Sequence, residues 1–376
     1  MKLRVVVLGA GFGGLELSSI LSEERGDELE LILIDKNDTF FFGYSKLDVM
    51  FGRKTVDSVL LSYRDFVKPG VTFRQETVTS IDPEARRVIT DGGIYEADVL
   101  VIALGADYDF SATPGLIEGE NEFYSFAGAE RLGELLSTFT NGHVLIGMTS
   151  APIKCPPAPS EAALLLHDYL TERGVRADCQ ISLVMPFSIP IPPSLGASKA
   201  LLKVFKERGI TLMSNQGVTA LDPERRVAIL RDQSEITYDL FLGVPKHRAP
   251  DVVIASGMTY DGYIHVSPDD LTSEYPGVYA IGDVTYVGAP KAGMFAEGAA
   301  KTAAAHIIAQ AEGYESSEIY RGDGICYVEF GGDQVARVEV DFLSDPSSGT
   351  FVEPTLGTAR EKEHFGASRS ARWFGA

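Results

Sequence analysis

The chain has 376 residues, with 33 Lys and Arg against 53 Asp and Glu, so its formal net charge is −20 at pH 7. This length predicts two or three domains, and 45% apolar with 23% charged residues exclude a mostly disordered protein. Strong negative charge argues against nucleic-acid binding, because phosphates are repelled. No apolar run is long enough to span a bilayer and no secretory cleavage pattern follows Met1, so we expect a cytoplasmic protein with at most peripheral contact at the inner face of the membrane.

The N-terminus carries a nucleotide-binding pattern. Residues 3–8 predict a buried parallel strand, which the turn Gly9-Ala10-Gly11-Phe12-Gly13-Gly14 and a helix-like segment follow directly. The first glycine permits a tight turn, Gly11 lets the backbone approach a pyrophosphate, and the last lets helix and strand pack closely. A second predicted strand ends at Asp35, where a carboxylate accepts hydrogen bonds from ribose hydroxyls. A glycine-rich turn without a nucleotide is the weaker alternative.

The chain contains an internal repeat. Residues 78–88 (VTSIDPEARRV) recur as residues 218–227 (VTALDPERRV), at an offset of 140 residues. In each copy the Asp-Pro-Glu turn is predicted to join two antiparallel strands. A shift of nearly the same length moves Gly9 onto Gly147, which lies at the end of another strand-like segment. The sequence therefore predicts two nucleotide-type domains.

The segment after Gly147 departs from a nucleotide-binding turn. Residues 148–161 (MTSAPIKCPPAPSE) lack the later glycines and place Cys155 where a pyrophosphate would bind. NAD(P)H is therefore disfavoured, with a nicotinamide partner as the alternative. A helix is predicted directly after this loop, with Ser160 as its N-cap. The helix dipole and the neighbouring Lys154 are expected to lower the pKa of the Cys155 thiol.

The three cysteines are too few and too dispersed for a secreted disulfide framework or a zinc site, and we expect no metal site. Cys179 lies in an apolar strand-like segment, where a buried and inert role is expected. Cys326 lies 171 residues beyond Cys155, so only folding can bring these two together.

Two later strands end in turns that are typical of flavoproteins. Residues 98–106 form an apolar segment with a small-residue end, and residues 277–283 form another that ends in Gly-Asp. Both resemble segments of the two-dinucleotide-domain flavoproteins. In that large family, the first turn crosses near the cofactor and the aspartate binds the ribityl chain of FAD. Asp283 is the matching residue here, and a surface aspartate that closes a strand is the alternative.

The loop around Cys155, the pair Cys326-Tyr327 and residues 289–297 (APKAGMFAE) resemble the sulfide:quinone oxidoreductases and the flavoprotein subunit of flavocytochrome c sulfide dehydrogenase. The likeness covers nearly the whole chain. It implies two redox cysteines, Cys155 and Cys326, which carry sulfide sulfur as a disulfide or persulfide and pass two electrons to FAD. It implies a proton relay for Glu161, for which stabilisation of a helix dipole is an equal alternative. Lys291 is expected to stabilise negative charge near N1 of reduced flavin, unless it is a solvated loop lysine.

Two groups of site residues follow from the motifs and the resemblance. The predicted catalytic group comprises Cys155, Cys326, Glu161 and Lys291. The group expected to contact FAD comprises Gly9, Gly11, Phe12, Gly13, Gly14, Asp35, Lys36, Val78, Ala103, Gly105, Gly282, Asp283, Lys291, Ala292 and Gly293.

Three departures limit the resemblance. The third cysteine of many quinone-linked members is missing, which leaves a two-cysteine mechanism. The cysteine that attaches FAD in the cytochrome-linked branch has no counterpart in residues 40–46 (FFFGYSK), so we expect non-covalent FAD. The C-terminal segment 360–374 is short and only modestly apolar, unlike the membrane-entering helices of quinone-linked members. It is expected either to touch lipid headgroups or to close over the flavin.

The predicted fold is α/β, with two Rossmann-like dinucleotide-binding domains in tandem and a small C-terminal α+β cap. In the cap, residues 325–330 and 335–342 predict a hairpin. The predicted domains are an FAD-binding domain (1–108 and 245–312), a second nucleotide-like domain with a degenerate NAD site (109–244) and the cap (313–376).

The predicted function is oxidation of sulfide, or of a related small sulfur compound, through the cysteine pair and FAD, with a quinone as electron acceptor. One alternative is an enzyme similar to NADH:quinone oxidoreductases, in which the cysteines are incidental. A second is a non-catalytic FAD redox sensor. The sequence does not fix the oligomeric state, and it leaves a homodimer open.

Overall fold

A computed structural model describes residues 2–119, 121–343 and 348–375 of the chain. The first part contains β1 (Leu3–Leu8), α1 (Phe12–Arg25), β2 (Leu29–Asp35), β3 (Thr39–Phe40), α2 (Ser45–Met50), β4 (Leu61–Ser62), β5 (Val71–Gln75), β6 (Val78–Asp82), β7 (Arg87–Thr90), β8 (Ile94–Glu96), β9 (Val99–Ile102), β10 (Asp107–Asp109) and α3 (Leu116–Gly119). The middle part contains α4 (Phe126–Thr138), β11 (Gly142–Met148), α5 (Ala158–Glu172), β12 (Cys179–Val184), α6 (Leu195–Glu207), β13 (Ile210–Met213), β14 (Val218–Asp222), β15 (Val227–Leu230), β16 (Glu235–Thr237) and β17 (Leu240–Val244).

The last part contains β18 (Lys246–Arg248), α7 (Asp251–Ala255), β19 (Thr259–Tyr260), β20 (Tyr263–His265), β21 (Val278–Ala280), β22 (Thr285–Tyr286), α8 (Gly293–Glu312), β23 (Asp323–Gly331), β24 (Gln334–Asp341), β25 (Ser348–Thr355) and α9 (Leu356–Phe374). Short 3₁₀ turns span Gly26–Glu28, Asp57–Val59, Tyr63–Asp65, Phe110–Ala112, Arg176–Asp178 and Gly282–Val284.

The first large sheet is parallel, with the strand order β21-β9-β1-β2-β5. In its centre Val7 of β1 pairs with Leu33 of β2 on one side and with Val101 of β9 on the other. Because both faces of this sheet are covered, the apolar run of β1 is buried without the alternation of a half-exposed strand. The carboxyl ends of β1, β2, β9 and β21 meet at one edge, which is where a doubly wound sheet binds its ligand.

The second large sheet has the order β13-β12-β11-β17, with β11 in the position that β1 holds in the first. Each large sheet is accompanied by a small antiparallel sheet, β6-β7-β8 in one half and β14-β15-β16 in the other. The repeated Asp-Pro-Glu turns join β6 to β7 and β14 to β15, as predicted. Arg86 and Arg226 occupy equivalent places in the two turns and adopt left-handed φ values of 49° and 53°. The predicted duplication is therefore present, and the predicted fold class is confirmed.

The C-terminal cap consists of the antiparallel sheet β23-β24-β25 and α9. Strands β23 and β24 form the predicted hairpin. The described part of the cap shares its core with the rest of the chain, because Val328, Phe330 and Val338 belong to one apolar cluster with Leu164 of α5. This packing places β23, which carries Cys326, directly against α5.

The chain passes between the two large sheets through β10 and β18, which pair antiparallel with Tyr108 opposite His247. These strands lie at the predicted boundaries near residues 108 and 245, and the division into domains stays a prediction. Within the residues described, no helix is both long and apolar enough to cross a membrane.

Candidate functional site

The glycine turn after β1 requires its glycines. Gly9 has a φ of 99°, and a Cβ there would lie 2.3 Å from the carbonyl oxygen of Ala103. A Cβ at Gly14 would lie 1.9 Å from the carbonyl oxygen of Gly9. At Gly11, the N-cap of α1, a Cβ would have no neighbouring atom within 4 Å. The start of α1 thus faces open space, and its free N–H groups fit a pyrophosphate.

The remaining residues predicted to contact FAD around this turn differ in their surroundings. Asp35 ends β2, and its carboxylate accepts hydrogen bonds from the backbone N–H groups of Ala10 (2.8 Å) and Asn37 (2.9 Å). Lys36 is exposed and Val78 is partly buried at the start of β6. Of the two residues predicted at the turn after β9, Ala103 is buried, while Gly105 has a φ of 69° and open space beside it.

Asp283 lies in the short turn Gly282–Val284 that follows β21. Desolvation raises the pKa of its carboxyl, although three lysines in its surroundings act in the opposite direction. Among the described residues none donates a hydrogen bond to this carboxylate. A desolvated carboxylate without a donor fits the hydroxyl groups of a ribityl chain. Asp283 is partly buried, and its role at FAD stays a prediction.

Lys291 is buried and holds the turn that carries Asp283. Its ammonium donates to the carbonyl oxygens of Asp283 and Thr285, at 2.9 Å each, and lies 3.5 Å from the ring centroid of Tyr263. Burial lowers the pKa of Lys291 to about 8. Lys291 is 5% exposed, so the alternative of a solvated loop lysine is wrong.

The first residues of α1 and α8 lie against each other beside the glycine turn. Ala292 is the N-cap of α8. A Cβ at Gly293 would lie 2.7 Å from the ring of Phe12, and one at Gly13 would lie 3.1 Å from Ile281. The two N-terminal helix turns approach this closely because both positions are glycine.

The loop after β11 has a different conformation. Helix α5 begins at Ala158 with Pro157 as its cap residue, so the prediction of Ser160 as N-cap is wrong. Because the ring of Pro157 fixes its φ near the helical value, the helix begins directly after this residue and not at Ser160. Cys155 has a left-handed φ of 49°. Its N–H donates to the carbonyl oxygen of Lys291 at 2.7 Å, which ties this loop to the segment before α8.

Cys155 and Cys326 lie at the same apolar core. Both are partly buried, and both pack against the cluster that α5 and β23 share. Negative charge on Cys326 raises the pKa of Cys155, so the two groups are close enough to interact electrostatically. Cys179 is buried in β12 and belongs to the same apolar cluster, but it is not among the charged groups that act on the Cys155 thiol. The three cysteines are free thiols in this structure.

The expected lowering of the Cys155 pKa is wrong. Burial raises its pKa, negative charge on Glu161 and on Cys326 raises it further, and the positive charge of Lys362 offsets only part of this. Burial and Glu161 raise the pKa of Cys326 to about 12. Removal of water destabilises the thiolate more than the positive charges of Lys362 and Lys46 stabilise it, and the expected effect of Lys154 is not among the causes. Both groups are therefore protonated thiols at neutral pH.

Glu161 lies in the first turn of α5 and is buried. It accepts a hydrogen bond from the backbone N–H of Glu329 at 3.0 Å, and burial raises its pKa to about 7. Although burial opposes it, hydrogen bonds from Arg53 and the charge of Lys362 lower the pKa of Glu329 to about 2. Glu161 thus has a pKa near neutral pH and lies beside a carboxylate that is ionised at that pH, and both the proton relay and the helix-dipole role stay predictions.

The ion pairs around Glu329 were not predicted. Its carboxylate is held by Arg53, at 2.6 and 3.0 Å, and by Lys362 of α9. Asp48 of α2 holds the same arginine at 2.7 Å. These residues come from three distant segments, and no local motif marks any of them.

The C-terminal segment forms α9, which packs against the first domain. Its Trp373 lies 5.5 Å from Phe12, centroid to centroid, and donates from Nε1 to Glu16 of α1 at 2.9 Å. Arg372 donates to the same carboxylate at 2.8 Å. Helix α9 therefore lies over the start of α1, and both expectations for this segment, contact with lipid headgroups and closure over the flavin, stay predictions.

A groove of about 440 Å³ lies beside the strand that carries Cys326. Ile325 and Tyr327 line it, and because side chains alternate along a strand, Cys326 faces the opposite side. The helices α8 and α9 complete its walls. Further lining residues are Met294, Gly357, His364 and Phe365.

Comparisons with known proteins agree with this architecture. The family model described as pyridine nucleotide-disulphide oxidoreductase matches residues 3–311. The mitochondrial sulfide:quinone oxidoreductase of Dictyostelium discoideum is 23% identical over 381 residues, which cover 96% of this chain and 81% of that protein. The type II NADH:quinone oxidoreductase of Staphylococcus saprophyticus is 34% identical over 115 residues, 30% of this chain and 29% of that protein.

Two solved structures have the same fold. The sulfide:quinone oxidoreductase of Aquifex aeolicus aligns with a TM-score of 0.88 and 24% identity, over 99% of this chain and 92% of its own. NDH2 of Plasmodium falciparum in complex with NADH aligns with a TM-score of 0.72 and 13% identity, over 93% and 92%. The predicted resemblance to sulfide:quinone oxidoreductases is thereby confirmed.

Proposed function

This chain belongs to the pyridine nucleotide-disulphide oxidoreductase family, and from this premise we propose that it oxidises sulfide, or a related small sulfur compound, through FAD and passes the electrons to a quinone. The chain is an oxidoreductase. One observation carries the finer proposal. Cys155 stands where a phosphate-binding turn would lie, and negative charge on the buried acid Glu161 and on Cys326 acts on its thiol, which supports a site formed by these three groups.

Several residues fit FAD. The open N-terminus of α1 at Gly11 would hold the pyrophosphate, and the Asp283 carboxylate, to which no described residue donates, would accept hydrogen bonds from the ribityl chain. Asp35 would accept hydrogen bonds from the ribose, and its present hydrogen bond from the Ala10 N–H would be shared or exchanged. Bound FAD supplies the acceptor for the two electrons that are released when sulfide sulfur reaches the zero-valent level.

The sulfur step uses the cysteine pair as a disulfide in the oxidised enzyme. HS⁻ attacks one of the two sulfurs, a bond forms between that sulfur and the substrate sulfur, and the bond between Cys155 and Cys326 breaks. One cysteine becomes a persulfide and the other leaves as a thiolate. In the overall change, HS⁻ yields one zero-valent sulfur, one proton and two electrons. Because burial raises both thiol pKa values, the released thiolate is unstable in this core and is driven to react onward.

Glu161 is the group to accept the proton. Its pKa of about 7 lets it bind a proton from the substrate at neutral pH and release it again. The hydrogen bond from the Glu329 N–H fixes the carboxyl, and the ion pairs of Glu329 with Arg53 and Lys362 fix that donor in turn.

The groove beside β23 is the proposed quinone site. Its walls of Phe365, Tyr327 and Met294 suit a flat apolar ring, and Arg369 and His364 offer polar contacts to a ring oxygen. The strand separates this groove from the cysteine side, since Ile325 and Tyr327 face it and Cys326 does not. Sulfur substrate and quinone would therefore reach the enzyme from different sides.

The second turn argues against the NADH alternative. In a nicotinamide-binding domain, the N–H groups of this turn face phosphates. Here the Cys155 N–H is bound to the Lys291 carbonyl oxygen, and prolines supply no N–H at positions 156 and 157.

An anaerobic titration of the purified protein with sulfide, followed by decyl-quinone, tests the proposal through the visible flavin absorbance band. We expect sulfide to bleach the band and the quinone to restore it. Cys155→Ser and Cys326→Ser should retain FAD and lose bleaching by sulfide, whereas the matched control Cys179→Ser should behave as the wild type.

Three results would contradict this proposal. Undiminished bleaching in either active-site variant would remove the thiol mechanism. Rapid bleaching by NADH with none by sulfide would favour the alternative similar to NADH:quinone oxidoreductases. Bleaching by sulfide that no acceptor reverses would favour a redox sensor.

A further inference from the structure

Five side chains outside the proposed sulfur and proton steps form one cluster beside Cys155, which we call the lysine–aromatic cluster. They come from separate segments: Lys46 from α2, Tyr108 from β10, Tyr124 from the segment before α4, Lys154 from the Cys155 loop and His247 from β18. No sequence motif connects them, and nothing in the proposed reaction yet explains why two lysines are brought together here.

The aromatic rings form the centre of this cluster. The His247 ring lies 5.0 Å from Tyr108 and 5.0 Å from Tyr124, centroid to centroid, and is nearly perpendicular to both. The Lys154 ammonium lies 4.2 Å from the Tyr108 centroid, and the Lys46 ammonium lies 5.7 Å from the Tyr124 centroid. The carbonyl oxygen of Tyr124 accepts hydrogen bonds from both Lys46 and the Tyr108 hydroxyl. Both ammonium groups therefore contact one connected aromatic group.

The two lysines carry more donors than their described surroundings satisfy. In the part of the chain that the structure describes, Lys46 donates to the Tyr124 carbonyl oxygen and Lys154 to the Ala106 carbonyl oxygen, at 2.8 Å for the latter. Each ammonium has three N–H groups, so two remain on each. Burial and the positive charge of Lys154 lower the pKa of Lys46 to about 7. Negative charge on Glu122 and Asp283 acts on both lysines and offsets part of the cost of bringing these like charges together, and a bound anion would offset more of it.

Two further polar atoms in the cluster are buried without a partner. His247 is 2% exposed and Tyr124 is 3% exposed, and within residues 2–119, 121–343 and 348–375 neither His247 Nε2 nor the Tyr124 hydroxyl has a hydrogen-bond partner. His247 Nδ1 lies 2.8 Å from the carbonyl oxygen of Pro245. A carbonyl oxygen only accepts, so Nδ1 carries the proton and Nε2 offers a lone pair. Burial and the charge of Lys154 lower the pKa of His247 to about 3, which keeps the ring neutral.

We propose that the lysine–aromatic cluster binds a small monoanion that carries one hydrogen, and that this ligand is hydrosulfide, HS⁻. The ammonium groups of Lys46 and Lys154 and the Tyr124 hydroxyl donate hydrogen bonds to the anion, and its S–H donates to His247 Nε2. The identity of the anion rests on the proposed function, whereas the existence of the site does not. Negative charge on Cys155 acts on both Lys46 and Tyr124, which puts the site next to the thiol.

This site resolves a difficulty in the sulfur chemistry. Burial makes the surroundings of Cys155 unfavourable for any anion, as the raised pKa of the thiol shows. The two lysines provide the positive charge that lets HS⁻ enter this desolvated region. The enzyme is then selective for the anion over neutral H₂S, because neutral H₂S gains little from two ammonium groups.

Binding without turnover gives the test. Hydrosulfide and azide are titrated calorimetrically, without oxygen, into Cys155→Ser protein loaded with FAD. In that background, Lys46→Met and Lys154→Met are each expected to weaken both anions about tenfold or more, because each removes a charge-assisted hydrogen bond. Lys203→Met, which removes an exposed lysine of α6, is the matched control and should change neither affinity. His247→Phe should weaken hydrosulfide more than azide, since azide carries no hydrogen for Nε2.

Each result has a definite meaning. Affinities within about twofold of the parent in both lysine variants would overturn the inference. So would a lowered flavin content or flavin midpoint potential at unchanged anion affinity, since the lysines would then serve the cofactor. If sulfide does not bleach the flavin of the wild type, while Lys46→Met and Lys154→Met still weaken azide binding, the proposed function is wrong and the anion site is supported. Circular dichroism reports folding, and if Lys46→Met does not fold, Lys154→Met carries the test.

Discussion

The turn between β1 and α1 and the turn between β11 and α5 occupy the same place in two copies of one architecture, yet they differ in every chemical respect. The first is built from glycines and leaves the start of α1 facing open space at Gly11. The second is built from prolines around Cys155, whose N–H is already bound to Lys291. One turn presents backbone donors, and the other presents a side chain.

This difference shows how one position in a nucleotide-type domain serves two kinds of chemistry. An anionic phosphate needs N–H groups and a helix end that remain free. A redox thiol needs a side chain in a dry pocket, and there the backbone donors are satisfied internally. The order β9-β1-β2-β5 recurs as β17-β11-β12-β13, and a small antiparallel sheet accompanies each large one, so the two turns differ within a shared arrangement to which the first half adds β21.

The largest effect is expected from Gly14→Ala in the first turn. The new methyl group would lie 1.9 Å from the backbone oxygen of Gly9, which no side-chain movement relieves. We expect a destabilisation of about 3 kcal/mol and loss of most bound FAD. Urea denaturation and the flavin content of the purified protein measure the two effects.

Gly11→Ala is the matched control for this change. A Cβ at Gly11 meets no protein atom within 4 Å, so the fold should be unaffected while FAD affinity falls, because the methyl group takes the space intended for the pyrophosphate. Equal stability and equal FAD content in the Gly14 and Gly11 variants would show that the first turn is not the tight phosphate turn described.

The next effect concerns the second turn and pH. Burial raises the pKa of Glu161 from 4.5 to about 7 in the folded chain, so between these values the folded state holds a proton that the unfolded state has lost. Stability contributed by this group is therefore complete below about pH 4.5 and falls as pH rises to about 7, by up to about 3 kcal/mol. Glu161→Gln removes this dependence.

The free energy of unfolding of wild type and Glu161→Gln, measured by urea denaturation at about pH 5 and about pH 8, gives the comparison. The wild type should lose more stability than the variant over this interval. The variant should also reduce flavin with sulfide more slowly, because it cannot accept the proton. Equal pH dependence in the two proteins would mean that Glu161 titrates normally and is not desolvated.

The contrast between the two turns also marks the limit of sequence reasoning. The glycine turn, the repeated hairpins and the cap hairpin are local patterns, and residues close in sequence determine them. The pKa of Cys155 was predicted in the wrong direction because its burial depends on β23 and α9, which join it from far along the chain. Helix α5 begins at Ala158, before Ser160, because Pro157 already has a φ close to the helical value.

The lysine–aromatic cluster and the ion pairs of Glu329 were missed for the same reason. Lys46 and His247 come from α2 and β18, which meet only in the folded chain. A lysine near an aromatic stretch and a histidine in a short strand have no pattern in sequence that indicates a shared site. Recognition of the family supplied the cysteine pair and Glu161, whereas the cations around them required the structure.

The smallest effect is expected where α9 covers the first turn. Glu16 of α1 is buried, and Arg372 and Trp373 both donate to its carboxylate. Glu16→Gln keeps an acceptor for the indole N–H but removes the charge that pairs with the arginine, so we expect a loss of about 1–2 kcal/mol. Since Trp373 is the one tryptophan of the chain, its fluorescence reports release of α9 during urea denaturation.

The matched control Glu28→Gln removes an exposed partner of Arg25 and should change stability little. An unchanged unfolding midpoint for Trp373 in Glu16→Gln would mean that aromatic packing against Phe12 alone holds α9 over the glycine turn.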